Sequence, residues 1–243
     1  MFNGLSLQLN FNITKMRSTD KLLLGLSMCF FFYSNSFGHS FSTKDTVPVN
    51  HKNKQWIAPA ALFSAGSGIA AIPSLRKLET RIYDGFNPNR AITHIDDYTQ
   101  YLPALAVFTL DAAGIKGKNK PQQQFLLYAF GYATAAAIVK PMKRIVQRER
   151  PNSSDFRSFP SGHTSTAFVA AEFLHQEFGH HSPWISVAGY ATAAATGYLR
   201  LYNNQHWLGD VLAGAAIGMA STKFIYWVNR EIKTKKKRKA QGI

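Results

Sequence analysis

The stretch Ser182–Leu199, SPWISVAGYATAAATGYL, holds no charged residue and is built from Ala, Gly, Thr and aromatic side chains. It shows none of the alternation that marks a half-buried strand, and it outruns the roughly 4–8 residues of a buried one. The same texture recurs on both sides. Trp207–Val228 follows it; Thr164–Phe178, Phe125–Val139 (continuing into Lys140–Arg150), Tyr101–Ile115 and Ile57–Leu75 precede it. Lys116–Gln124 (KGKNKPQQQ) and Asn152–Phe159 read as polar connections, and Arg76–Thr99 as a charged, mixed stretch suited to an amphipathic helix. No hairpin signal and no internal repeat interrupts this order. The expected class is all-α: a bundle of about six helices, transmembrane where its uncharged runs approach the ~20 residues that cross a bilayer.

Composition supports that class. The chain has 243 residues, 46% hydrophobic, which excludes a disordered chain. Only 17% are charged, against about 25% in ordinary soluble domains. The single cysteine, Cys29, excludes a disulfide framework and a cysteine-based zinc site. Lys and Arg number 28 against 13 Asp and Glu, a net charge of +15 that points to an anionic partner. The mean hydropathy of −0.15 also allows a soluble fold with buried Ala-rich helices.

The ends read separately. Met16, Arg17 and Lys21 precede an apolar run, Leu22–Tyr33, with small residues at Ser36 and Gly38. That is the three-part pattern of a secretory signal cut near Gly38–His39, so residues 1–38 are a signal peptide or an uncleaved N-terminal anchor. Residues 39–54 form a linker, 55–228 the main domain with a core at 125–228, and 229–243 a basic tail. The Arg230–Lys239 run places that tail in the cytoplasm by the positive-inside tendency. Without interleaved aromatics it gives no case for nucleic acid.

Three clusters carry chemistry. Lys143 and Arg150 stand seven apart on the helix that Pro151 ends, so they share a face two turns apart. Pro160-Ser161-Gly162-His163-Thr164 opens a helix: Ser161 is a cap, Gly162 lets an anion approach, and the free N–H groups suit a phosphate. Arg200, His206 and Asp210 form the third, with His206 and Asp210 at i, i+4, so that Asp210 can hold the Nδ1–H of His206. Asp96 and Asp97 are candidates to pair with one of the cations. His175, His180 and His181 read as a membrane-surface cluster rather than a metal site. Cations, a helix start and two histidines, with no zinc motif and no carboxylate cluster for magnesium, make a phosphoryl-transfer set.

K-x6-R-P, P-S-G-H and R-x5-H-x3-D, in that order across residues 143–210, resemble the type 2 phosphatidic acid phosphatase (PAP2) superfamily. This group includes class A acid phosphatases and vanadium haloperoxidases. The resemblance covers roughly Phe125–Val228. It departs at Leu199, where the family usually has a serine that donates to phosphate. It implies His206 as nucleophile, Asp210 as its orienting carboxylate and His163 as the acid for the leaving alcohol. Lys143, Arg150, Ser161, Gly162 and Arg200 are implied to hold the phosphate, with no metal and no cofactor. The implied substrate is a lipid phosphate or polyprenyl diphosphate in a bacterial inner membrane, with the site facing the periplasm and no obligate protein partner. A soluble periplasmic acid phosphatase is the alternative. A haloperoxidase is disfavoured by the short 152–159 connection, and an anionic-lipid binder leaves His163, His206 and Asp210 without a purpose. Orientation imposes a parity condition: a cleaved signal and an outward site require that one of the segments 57–75, 101–115 and 125–139 not span.

Overall fold

A computed structural model describes residues 18–25, 54–85 and 92–241; most of the segment read as a signal or anchor lies outside them. The described residues form α1 (18–25), α2 (Ile57–Ala71), α3 (Pro73–Asp84), α4 (Asp96–Thr99), α5 (Leu102–Ala112), α6 (Pro121–Val146), α7 (Gly162–Phe178), α8 (Pro183–Tyr202) and α9 (Leu208–Ala240). There is no strand among them. Six helices, α2 and α5–α9, make the bundle, and α3 and α4 lie at the end where the three motifs gather.

Local chemistry sets the helix starts. Proline occupies the first turn of α3, α5, α6 and α8, where its missing N–H would have had no partner. Ser161 caps α7 by accepting from the Thr164 N–H, and Ser182 caps α8 by accepting from Trp184. Several boundaries differ from the sequence reading: the Ile57–Leu75 run breaks at Ile72, and Arg76–Thr99 is divided between α3 and α4. The loop after Lys116 ends at Pro121, which begins α6. The basic tail is helical, since α9 continues to Ala240. Most consequentially, α6 stops at Val146, where Gln147 turns left-handed at φ 47°. Lys143 and Arg150 therefore do not share a helical face; Arg150 belongs to the irregular segment after the helix.

Small residues let the helices meet backbone to backbone. A Cβ on Gly218 of α9 would stand 2.3 Å from the Ser165 carbonyl of α7, and one on Gly214 would stand 2.5 Å from the Ser161 carbonyl. This is the small-x-x-x-small approach of membrane helices, and it sets the start of α7 against the start of α9. α2 packs along another face of α9, and Leu23 of α1 joins the same core as Phe63, Ala70, Val169 and Ala213. At the opposite end of α7, Glu177 accepts from the Asn119 backbone (2.9 Å) and side chain (2.6 Å) and from the Tyr226 hydroxyl. One turn earlier, Glu172 pairs with Lys223 at 2.8 Å. His175 bonds Ser186 at 2.8 Å and His181 bonds the Lys116 carbonyl at 2.9 Å. Two of the three histidines read as a membrane-surface cluster thus tie loops and helices together.

By length and composition two described helices can cross a membrane, α6 and α9, and α2 with α3 forms an apolar pair bent by 92°. α5 is apolar but short at 11 residues, about 16 Å against a hydrocarbon layer of about 30 Å. We predict that Gly218→Ala costs about 1–3 kcal/mol, as overpacking does, and lowers the melting temperature in detergent. Gly68→Ala in α2, where a Cβ meets nothing within 4 Å, is expected to leave stability level or raise it by up to about 1 kcal/mol.

Candidate active site

The contact between α7 and α9 puts the Ser161 N–H 2.9 Å from the Asp210 carbonyl, so the second and third motifs touch through their backbones. The Asp210 side chain is fully buried. Its Oδ1 accepts from Arg148 Nη1 at 2.7 Å; its Oδ2 accepts from the Trp207 N–H at 2.9 Å and from the Ser158 hydroxyl. Arg148 in turn donates to Glu79 of α3, which also accepts from the Gly209 N–H at 2.8 Å. One guanidinium therefore serves two buried carboxylates, and it lies over the Trp207 ring with its carbon 5.6 Å from the centroid.

His206 sits in the turn between α8 and α9, held by its N–H to the Arg200 carbonyl at 3.3 Å. Its ring is buried, and Nδ1 lies 3.6 Å from Asp210 Oδ2. That is ion-pair range but longer than a hydrogen bond, and Nδ1 has no other partner. Asp210 thus faces His206 Nδ1, the nitrogen that the i, i+4 spacing led us to expect, at ion-pair distance. Burial drives the His206 pKa down to about 3; Lys143 and Arg200 push the same way, and Asp210 opposes them. The imidazole is consequently neutral at ordinary pH and has a lone pair to offer.

The expected anion-holding groups converge from four elements. Ser161 is buried and Gly162 opens α7; a Cβ on Gly162 would meet only Lys143 Cε, at 3.9 Å. Lys143 reaches across from α6 and donates to the Arg157 carbonyl at 2.7 Å. Arg150 bonds Asp155 through Nε at 2.8 Å and Gln205 through Nη1 at 2.9 Å. Arg200 is buried against Asp96, while its Nε points to no partner. Arg200 thus keeps an unused donor in the buried site. Leu199, in place of the usual serine, offers none.

His163 lies half-buried at the start of α7 with Nε2 2.8 Å from Asp97 Oδ1. Burial and Arg200 lower its pKa; Asp97 and Asp96 counter them. A cavity of about 310 Å³ opens beside it, lined by Lys143, Gly162, Tyr101, Tyr132 and Val139. Potential metal-ligating atoms of Asp96, Asp97 and His163 lie within 4.8 Å of one another. Asp96 is bound to Arg200 and Asn203, and Asp97 to His163, so the group reads as an ion-pair network.

Several residues here were not singled out by sequence. Arg148 lay inside the first motif without a role, and Ser158 and Gln205 were unassigned loop residues. Glu79 was hidden in a basic stretch 69 positions from its partner. Its only signal was a lone carboxylate among Arg76, Lys77 and Arg81. We predict that Arg148→Ala, which strands Asp210 and Glu79 as unpaired buried charges, costs about 3–5 kcal/mol as read by thermal melting. The buried His206 makes a second prediction. A histidine with a depressed folded pKa stabilises fully above its ordinary 6.5 and loses that contribution as pH falls toward 3. Wild-type melting temperature should fall more steeply over that window than that of His206→Ala.

The three motifs lie within residues 124–233, which match the sequence model of the PAP2 superfamily. The lipid A 1-phosphatase of Porphyromonas gingivalis is 41% identical over 138 residues, 56% of this chain and 31% of that protein. The chain thus spans about a third of that relative's length. The decaprenylphosphoryl-5-phosphoribose phosphatase of Mycolicibacterium smegmatis is 30% identical over 51% of this chain and 68% of its own. The fold is similar to that of the transmembrane PAP2-type phosphatidylglycerolphosphate phosphatase from Bacillus subtilis. That match has a TM-score of 0.54 and 23% identity, over 72% of this chain and 97% of that one. Ordered motifs, helical architecture and a relative matched over two thirds of its length agree: the chain belongs to the PAP2 superfamily.

Proposed function

We propose that the protein is a metal-independent phosphatase that hydrolyses a phosphate or diphosphate monoester carried by a membrane lipid. The observation that carries the reading is the buried His206, its Nδ1 3.6 Å from Asp210 Oδ2, with Lys143, Arg150 and Arg200 brought to the same end of the bundle. In the proposed first step the lone pair of His206 Nε2 attacks phosphorus, the bond to the ester oxygen breaks, and His163 gives that oxygen its proton. The imidazolium so formed is stabilised by the Asp210 carboxylate. Water then attacks the phosphohistidine, His163 takes the water's proton, and the P–N electron pair returns to His206. Lys143, Arg150, Arg200, Ser161 and the N–H groups at the start of α7 hold the equatorial oxygens, where phosphoryl transfer places its charge. A covalent histidine divides one high barrier into two lower ones.

A lipid rather than a soluble ester is supported by the surface of α6. Phe125, Leu126, Phe130, Ile138 and Ile145 are all exposed, an apolar stripe on a helix long enough to cross a bilayer. The curated relatives are named for phosphates on lipid A and on a decaprenyl-linked ribose, so a phosphorylated glycolipid is the first candidate substrate. The outward orientation rests on charge: the basic end of α9 lies at the opposite end of that helix from His206 and Asp210. In this reading residues 18–25 are retained in the folded protein. Leu23 is buried in the core and Asp20 bonds Arg76 at 2.5 Å.

Purified protein in detergent should release phosphate from lipid phosphate micelles at an undiminished rate in EDTA, with a lower rate on a soluble aryl phosphate. His206→Ala should be inactive on both. Activity of that variant within tenfold of wild type would sink the assignment, and an aryl phosphate rate equal to the lipid rate would favour a soluble-ester enzyme.

A further inference from the structure

The segment before residue 124 lies outside the superfamily match, yet it delivers two adjacent carboxylates to the site. α4 is a single turn, Asp96–Thr99. It is pinned to α8 through Thr99 Oγ1 on Thr196 Oγ1 at 2.9 Å and Asp96 Oδ1 on Asn203 Nδ2 at 3.0 Å. Its own entry is fixed by the Thr93 N–H on Asn203 Oδ1 at 3.1 Å. Asp96 binds Arg200 and Asp97 binds His163, so consecutive residues grip one phosphate-holding cation and the proposed leaving-group acid.

We propose that Asp97 is a positioning residue for catalysis: it holds His163 by Nε2, so that Nδ1 is the nitrogen that serves the ester oxygen. The proposal rests on the phosphohistidine reading above. In the first step Asp97 keeps accepting from Nε2–H of the imidazolium while the Nδ1 proton moves to the departing oxygen as its bond to phosphorus breaks. In the second, the Nδ1 lone pair takes a proton from the attacking water, and Asp97 again faces the imidazolium. The enzyme then has two Asp–His pairs of opposite duty. Buried Asp210 faces the nucleophile, and half-exposed Asp97 orients the acid. The groups that face His163 are Arg200 from α8, Asp96 and Asp97 from α4, and Lys143, Lys140 and Tyr132 from α6, with Tyr101 completing the cavity. His94 Nδ1 lies 3.6 Å from the second oxygen of Asp97.

The role of a proton donor depends on the leaving group. A lipid alcohol needs the proton as it departs; p-nitrophenolate does not. In the full-length protein in detergent, Asp97→Asn is expected to lose tenfold or more of kcat/KM on a lipid phosphate and threefold or less on p-nitrophenyl phosphate. General acid catalysis contributes about 10²–10⁴-fold in total, so the loss has room to be larger. His163 must carry a proton to act. Removing the carboxylate that favours its charged form should move the alkaline limb of kcat/KM for the lipid substrate to lower pH. Asp97→Glu should recover part of both. Equal losses on the two substrates, or none, with an unchanged melting temperature, would overturn the proposal. So would wild-type activity lost in EDTA and restored by a divalent cation, since Asp97 would then be a metal ligand. Should Asp97→Asn fail to fold, Asp97→Glu carries the same test: a substrate-selective loss supports the role and a uniform loss rejects it. His206→Ala, run alongside, separates the premises. If it stays active, the phosphohistidine reading falls first; if it is dead while Asp97→Asn is unaffected, only the role of Asp97 falls.

Discussion

Everything near the site is arranged around a carboxylate that cannot reach water. Asp210 is fully buried on α9, and an isolated buried charge would be expelled or neutralised. It is kept by Arg148, Ser158 and the Trp207 N–H. The arrangement couples distant pieces of chain. Arg148 lies beyond the end of α6, Ser158 in the loop before α7, and the second acid on Arg148, Glu79, in α3. A helix that the superfamily match does not reach is therefore tied to the start of α9 through Glu79, by the Arg148 guanidinium and by the Gly209 N–H. With both of Asp210's oxygens occupied, its charge reaches His206 across 3.6 Å, at ion-pair distance, which suits the proposed role of stabilising an imidazolium.

That arrangement requires α7 and α9 to approach more closely than side chains allow. Gly214 and Gly218 supply the approach, and the Ser161-to-Asp210 backbone bond follows from it. Packing and the proposed chemistry are thus one constraint: the glycines that join the helices also set the start of α7 against the start of α9.

The sequence disclosed what is local. Uncharged Ala- and Gly-rich runs gave the helical class because nothing in them alternates, and Ser161 announced its cap because capping is settled within four residues. The i, i+4 spacing of His206 and Asp210 placed the two side chains face to face, although His206 precedes the helix, which starts at Leu208. What it hid was non-local or depended on a helix end. Nothing in KRIVQRERP announces that the helix stops at Val146, because Gln147 turns left-handed without a glycine. With that stop unseen, Arg148 has no assigned direction, and its partners, 62 and 69 positions away, have no signal at all. Asp96 and Asp97 were legible as acids seeking cations. Which of them met Arg200 and which met His163 is decided by one turn of helix docked on α8.

The cations of the site follow a pattern with a mechanistic consequence. Arg148 is fixed by Asp210 and Glu79, Arg150 by Asp155, and Arg200 by Asp96. Lys143 differs, donating to the carbonyl of Arg157. An arginine without such a partner would keep several rotamers, and a ligand would have to order it on binding, at about 0.5–1.5 kcal/mol for each side chain. Here that ordering is accomplished by folding. In the proposed reaction a phosphoryl group at the start of α7 would meet donors already aimed, and transition-state charge is stabilised best by groups that need not move when it develops. The same carboxylates reduce the net positive charge that the arginines would otherwise present. The site therefore attracts anions less strongly at long range than its count of arginines suggests, and discriminates more by geometry at contact. For the phosphatase proposed above, acting beside a membrane, this division would favour the group that fits over the group that is merely negative.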